Sequence, residues 1–243
     1  MPIPEALVGP RGMSRYNCLS NRETIDEAPA VARVRVTMAL LSVVDSALSI
    51  ASQLTPSICL PGNPPEAGSS LDQVALNLLS ELTGSDAGYL EQLYTFSFEG
   101  DDLAEIVVSY LALAPDGTQL RAGFGWQTTH RYDKCLAAAD RVVLDYALIR
   151  LQAKIGYTTV AFHLMPTSFS LSDLQQTYEM ILDRPLDPRN FRRRMVSSGL
   201  LQAENRLRRE GSHRPAALYR FAGNHDPGSY LTPSATRSGE HNG

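Results

Sequence analysis

The sequence predicts an α+β chain, with a strand-rich N-terminal part crossed by one early helix, a long connecting helix, and a C-terminal pair of short helices followed by a two-stranded ribbon. Three observations predict it. The runs VRVTMALLSVVDSALSIAS, YLEQLYTFSF, AEIVVSYLALA and RAGFGW are β-branched and apolar in the manner of strands. Residues 133 to 155 keep a helical apolar spacing without a break, and two strong helix-start signals follow one another from Ser170 onward. With 243 residues, 43% of them apolar, the chain can bury a core of ordinary size as one large or two small domains, which excludes disorder of the whole.

Residues 1 to 30 mix Pro, Gly, Asn and charges without periodicity and are expected to be a mobile arm. After the first strands comes the loop LPGNPPEAGSS, and then a helix. Ser70 is placed to cap it, Leu71, Val74, Ala75, Leu78, Leu79 and Leu82 recur at helical spacing, and Gly84 ends it. The long helical stretch 133 to 158 carries Val142, Tyr146, Ile149 and Leu151 among its apolar positions and is expected to link two domains. VAFHLM, around His163, is expected to be strand-like, and His130 to lie in a loop; each histidine is expected to be structural rather than a ligand.

From Phe169 the local rules change. Ser170 caps a helix with Asp173 at its third position, and Phe169 and Leu174 occupy the staple sites. Asp187 caps the next, with Pro188 at the favoured first position and Leu186 and Phe191 as staple. Only about Asp183 to Leu186 remains as a turn, so the two helices form a helix-turn-helix. LLQAENRLRR, a turn at Glu210-Gly211-Ser212 and HRPAALYRF complete a wing, and the stretch from Ala222 to Gly243 lacks an apolar pattern and is expected to be a disordered tail.

The total charge of -4 hides a division: residues 184 to 221 hold ten arginines against three acids, net +7, so the remainder carries -11. On the second helix Phe191 and Met195 mark the buried side, while Arg189, Arg193 and Ser197 form the opposite ridge, flanked by Asn190, Arg192 and Arg194. Arginine forks suit guanine edges and phosphates, and asparagine pairs bidentately with adenine. Arg189, Asn190 and Arg193 are therefore expected at base edges, and Arg192, Arg194, Arg208, Arg209 and Arg214 at phosphates or the wing contacts. A solvated basic surface is the plainer alternative. No secretory signal or membrane span is expected, and Cys18, Cys59 and Cys135 make neither a disulfide framework nor a CxxC zinc site, so a cytoplasmic setting fits.

These residues resemble a known family. The run YALIRLQAKIGYTTVAFHLMPTSFSLSDLQQTYEMILDRPLDPRNFRRRMVSSGLL, followed by RPAALYRF, is similar to the C-terminal half of NrtR-type regulators, the Nudix-related repressors of NAD metabolism. LPGN at 60 to 63, the helix to Gly84, YLEQLYTF, VSYLAL and Trp126 follow the Nudix half of that family in order, so the likeness spans roughly residues 32 to 221. It implies a Nudix α/β/α sandwich over 31 to 132, a linker helix over 133 to 158 and a winged helix over 159 to 221. It also implies a homodimer on a double-stranded operator and control by a nucleotide such as ADP-ribose.

The Nudix box, G-x5-E-x7-R-E-U-x-E-E-x-G-U with U aliphatic, is degenerate in this chain. Ser69 stands at the first glutamate, Asn77 at the arginine, Leu78 and Leu82 at two further glutamates, and Asn63 at the second glycine of the loop; Glu81 alone remains. Magnesium held against a pyrophosphate needs clustered carboxylates. The expectation is therefore a regulator without enzymatic activity or cofactor, whose helix face at 78 and 82 packs in a core or subunit interface rather than lining an apolar ligand site. Glu66, Asp101, Asp102 and Glu105 are expected at the solvated surface. A pyrophosphohydrolase acting on ADP-ribose-like nucleotides through Glu81 is the alternative, and a module binding an acidic protein partner is a third.

Overall fold

A computed structural model describes residues 32–54, 58–85, 88–98, 104–132, 136–208 and 215–223. The expectations for residues 1–30, for the tail beyond Gly223, and for Asp101, Asp102, Arg209 and Arg214 lie outside these residues.

Strands β1 (Arg33–Val44) and β2 (Ala47–Gln53) form a hairpin closed by Asp45 and Ser46, both at positive φ (49° and 60°), the two-residue geometry that matches the twist of the strands. β3 is the residue pair Gly62–Asn63, β4 spans Tyr89–Phe98, β5 Glu105–Leu113 and β6 Phe124–Thr128. The sheet order is β4-β5-β1-β2-β6 with β3 beside β1, and only β1 and β5 are parallel. Helix α1 (Leu71–Thr83) begins where Ser70 accepts the Gln73 N–H at 3.1 Å and stops at Gly84, whose φ of 68° is left-handed.

The strand alternation of β1 divides the core. Val36, Met38 and Leu40 pack with Val74, Leu78, Leu79 and Leu82 of α1 on one face, while Ala39, Leu41 and Val43 join Val143, Leu144, Ala147 and Leu151 of helix α3 (Ala138–Lys154) on the other. This is an α/β/α sandwich. Of the apolar positions read along α3, Leu151 is buried and Tyr146 packs against the core, while Val142 is half-buried and Ile149 is exposed. Two local expectations are corrected as well. His130 belongs to the short helix α2 (Thr129–Tyr132), and VAFHLM is not strand-like: Val160–Leu164 is a 3-10 helix in which Val160, Ala161, Phe162 and Leu164 are buried and the His163 ring is tilted against that of Tyr89, centres 5.2 Å apart. Its β-branched and aromatic content suits a strand, but the run is short, and none of the described strands pairs with it.

Both ends of α3 are fastened by charge. At its first turn the buried Asp140 accepts the Leu60 N–H at 2.9 Å and the Arg35 Nη2 at 3.1 Å, and Arg35 also reaches Glu105. At its last residue Lys154 donates to Glu91 Oε2 at 2.6 Å and to the Tyr89 hydroxyl, with Arg150 3.8 Å from the other Glu91 oxygen. The helix thus clamps the loop before β3 at one end and strand β4 at the other.

The same core continues through Phe162, Met165 and Phe169 into helices α4 (Leu171–Leu182) and α5 (Pro188–Ser197). Strands β7 (Phe169–Ser170), β9 (Ala216–Phe221) and β8 (Leu201–Arg208) form a three-stranded antiparallel sheet in the order β7-β9-β8, and Phe221 stacks on Phe162 with ring centres 4.4 Å apart. Among the described residues no helix is long and apolar enough to cross a membrane.

Candidate nucleic-acid interface

The helix pair is built by its caps. Ser170 and Asp173 form a reciprocal capping box at the start of α4, and Asp187 accepts the Asn190 N–H at 2.8 Å at the start of α5, with Pro188 in the first turn. Between them Asp183 takes a left-handed conformation at φ 50°, and Glu179 holds the turn by accepting the Leu186 N–H at 2.7 Å and the Gln175 amide at 2.9 Å. Those two bonds keep the Glu179 carboxyl below its usual range, the Gln175 amide contributing most. Phe191 and Met195 anchor α5, Phe191 edge-on to Tyr178 at 5.2 Å.

With that face buried, the basic residues divide into distinct directions. Arg189 and Arg193 lie on the solvent ridge of α5, and Arg193 donates to the Asn190 side chain at 3.0 Å. Val196, 57% exposed, stands beside them on the same ridge. It is a position the sequence reading missed, although its helical angle places it opposite Phe191 and Met195, where an apolar residue has no core to join. Arg192 flanks the ridge on the α4 side, where Leu171, Ser172, Gln175, Pro188, Arg189 and Phe191 complete a hollow at the N-termini of both helices. Asn190 and Arg194 flank the other side and border a cleft of about 450 Å³ that runs to Ile155 and Gln152 at the end of α3. Tyr178 also lines this cleft, and burial pushes its phenol above the ordinary range, with Arg194 opposing.

Each described arginine of the wing has a neighbour within the domain. Arg208 donates from Nη2 to Asp173 Oδ1 at 2.8 Å and is only 34% exposed. Arg220 gives Nε and Nη2 to Gln202 Oε1, and Arg206 is near Glu204.

The Nudix box residues do not assemble a metal site. Leu78 and Leu82 are 1% and 0% exposed in the core beneath the sheet, which is the packing role expected of them. Glu81 is on the surface and pairs with Arg121 at 3.3 Å, and Asp72 accepts the Tyr110 hydroxyl at 2.6 Å. Among the described residues no three His, Cys, Asp or Glu side chains converge in a way that could hold a metal ion, so the donor set does not fit a Nudix magnesium centre.

The segment containing this helix pair and wing, residues 161–221, matches the NrtR DNA-binding winged helix domain. Over 165 residues the chain is 35% identical to the ADPR responsive transcriptional repressor NtrR of Acinetobacter baylyi, a match that covers 65% of this chain and 66% of that relative, just under two thirds of its length. The winged helix at residues 161–221 belongs to the NrtR DNA-binding family. Its fold agrees with that of Shewanella oneidensis NrtR complexed with a 27mer DNA, at a TM-score of 0.69 and 27% identity, over 77% of this chain and 93% of the other. A MutT/nudix family protein from Enterococcus faecalis shares the fold at a TM-score of 0.62 and 18% identity, over 79% and 89% of the two chains. The chain therefore joins a Nudix-like sandwich to a winged helix, as the resemblance implied.

Proposed function

We propose that this chain is a sequence-specific, DNA-binding transcriptional repressor working as a homodimer in the cytoplasm, without enzymatic activity. Residues 31–132 form its sensor part, 133–158 its linker and 159–221 its DNA-binding part. The observation that carries the reading is the solvent ridge of α5: Arg189 and Arg193, held outward by the burial of Phe191 and Met195, project from a helix that follows a turn held by Glu179. In the major groove this ridge meets base edges, with Val196 against a thymine methyl and Arg192 at the phosphates. Asn190 steers Arg193 and reaches adenine from the flank, and Arg194 serves the phosphates on that same side. Arg208 positions the wing through Asp173 instead of touching phosphate, while Arg209 and Arg214 extend the phosphate contacts.

The absence of turnover follows from Leu78 and Leu82, which put hydrocarbon where clustered carboxylates would be required. The relative's response to ADP-ribose extends to this chain, whose sandwich senses a nucleotide of that class and relieves repression. In a gel-shift assay with the DNA upstream of its own gene, the chain should retain a specific fragment over random DNA, and ADP-ribose should release it. The Arg189→Ala/Arg193→Ala variant should lose that discrimination; unchanged discrimination defeats the assignment. Magnesium-dependent cleavage of ADP-ribose that disappears in Glu81→Gln would restore the hydrolase reading.

A further inference from the structure

The cleft bordered by Asn190 and Arg194 continues along α5. A second hollow of about 390 Å³ adjoins it, and the two share Ile155, Gly156, Tyr178, Arg194 and Met195. Together they form one trough between the end of α3 and the flank of α5 away from Arg192, and the first hollow alone has the size of a small-molecule site. Its floor is apolar. Ile155, Phe191 and Met195 are buried, and Tyr178 lies edge-on to Phe191, so the floor offers two rings and a thioether, surfaces that suit a flat ring.

One polar atom interrupts this floor. Tyr178 is 9% exposed and lines both hollows, and among the described residues its hydroxyl has no hydrogen-bond partner, although a buried phenol ordinarily finds one. Burial raises the phenol, with Arg194 opposing, so the hydroxyl keeps its proton and is able to donate. Arg184 and Arg194 are exposed where they border the cleft and, among the described residues, have no acidic partner. Asp187 is the single acid of the cleft, and it accepts the Asn190 N–H. Two guanidinium groups against one committed carboxylate leave a net charge of +1, which matches a monoanion. A carboxylate suits the fork of an arginine, and the apolar floor calls for a hydrocarbon body that a phosphodiester strand does not supply.

We infer that this trough binds an aromatic monocarboxylate, its ring on Ile155, Phe191 and Met195 and its carboxylate held by Arg194, Arg184 and the Tyr178 hydroxyl. The site stands apart from the sandwich and from any nucleotide sensed there. Its effect on DNA rests on the reading above, in which Arg194 serves the phosphates: the carboxylate and the operator then compete for one guanidinium.

The test titrates the full chain, without DNA, with 2-naphthoate and with its neutral counterpart 2-naphthylmethanol in a calorimeter. One 2-naphthoate should bind per chain, about tenfold more tightly than the alcohol. Tyr178→Phe keeps the ring packing and Arg194→Ala trims an exposed side chain, so both should keep the parent's circular dichroism while each weakens 2-naphthoate by about fivefold or more. Arg192→Ala, on the other flank, should bind it as the parent does. In a gel shift, 2-naphthoate should lower the parent's affinity for its retained fragment and leave that of Arg194→Ala unchanged. No binding at millimolar 2-naphthoate, equal binding of the alcohol, or undiminished binding by either folded variant overturns the site. A loss in Arg192→Ala as large as that in Arg194→Ala also overturns it, as general attraction to a basic surface. Parent DNA affinity that 2-naphthoate leaves unaltered overturns the competition alone. A chain that retains no DNA fragment overturns the reading above, and the calorimetry still decides the site.

Discussion

Arg208, at the end of β8, donates to Asp173 at 2.8 Å while Asp173 closes the capping box of α4, so one carboxylate joins the wing to the start of the helix-turn-helix. The stem of the wing is thereby fixed relative to the helices it must accompany onto DNA.

Asp173 should therefore be an acid-sensitive post. Burial alone raises its carboxyl, but the Arg208 guanidinium and the Ser170 bonds outweigh that and hold it below the usual range. A group depressed on folding stabilises above its unfolded value and loses that contribution as pH falls through the folded one. Asp173→Ala should cost about 1–2 kcal/mol at pH 7 in urea unfolding, and the deficit should shrink below about pH 4. A deficit independent of pH contradicts this account.

Salt dependence should separate the arginines that touch phosphate or base from the one that braces. Arg192→Ala should lower the slope of log affinity against log salt by up to about 0.9, whereas Arg208→Ala should leave the slope unchanged and lower the unfolding midpoint. Fluorescence anisotropy over a salt series reads the first effect, and thermal melting the second. A reduced slope in Arg208→Ala would return that residue to the phosphate contacts.

At the other end of α3, removing the Asp140 carboxylate orphans the Leu60 N–H and half of the Arg35 guanidinium's partners. Asp140→Ala should destabilise by about 2–4 kcal/mol. Amide hydrogen exchange at Leu60 should speed up markedly in this variant and much less in Asp140→Asn, which retains an acceptor.

The Lys154–Glu91 pair tests whether buried charge here stabilises or specifies. Both side chains are under 10% exposed, so Lys154→Met should cost about 3–5 kcal/mol by stranding Glu91, and Lys154→Met/Glu91→Leu should recover most of it. Failure of the double variant to recover would mean that the Tyr89 hydroxyl, not Glu91, is the dominant partner of the ammonium.

What could be read in the sequence is what neighbours decide. The caps at Ser70, Ser170 and Asp187, the stop at Gly84 and the burial of Phe191 and Met195 depend on residues within a few positions of one another, and all are visible in one dimension. The relationships that fasten α3 were not legible: Asp140 meets Leu60 and Arg35 across 80 and 105 residues, and Lys154 meets Glu91 across 63. For the candidate site, the outward ridge could be drawn from helical angles alone. The inward turn of Arg208 could not, since an arginine at the end of a strand carries the same local signal whether its partner is a phosphate or an aspartate 35 residues away. Val196 lies on the same helical wheel, where its apolar signal is outweighed by the arginines around it.

Gly62 leaves a lesson about reading fragments of motifs. A β-carbon there would be 2.7 Å from the Val36 carbonyl oxygen and 3.1 Å from the Thr37 hydroxyl, because β3 is pressed against β1. Strand contact alone forbids any larger residue at this place, with or without a phosphate to approach. The letters LPG thus record a constraint of carpentry between two strands, and their survival in a motif is explained without any reaction at all.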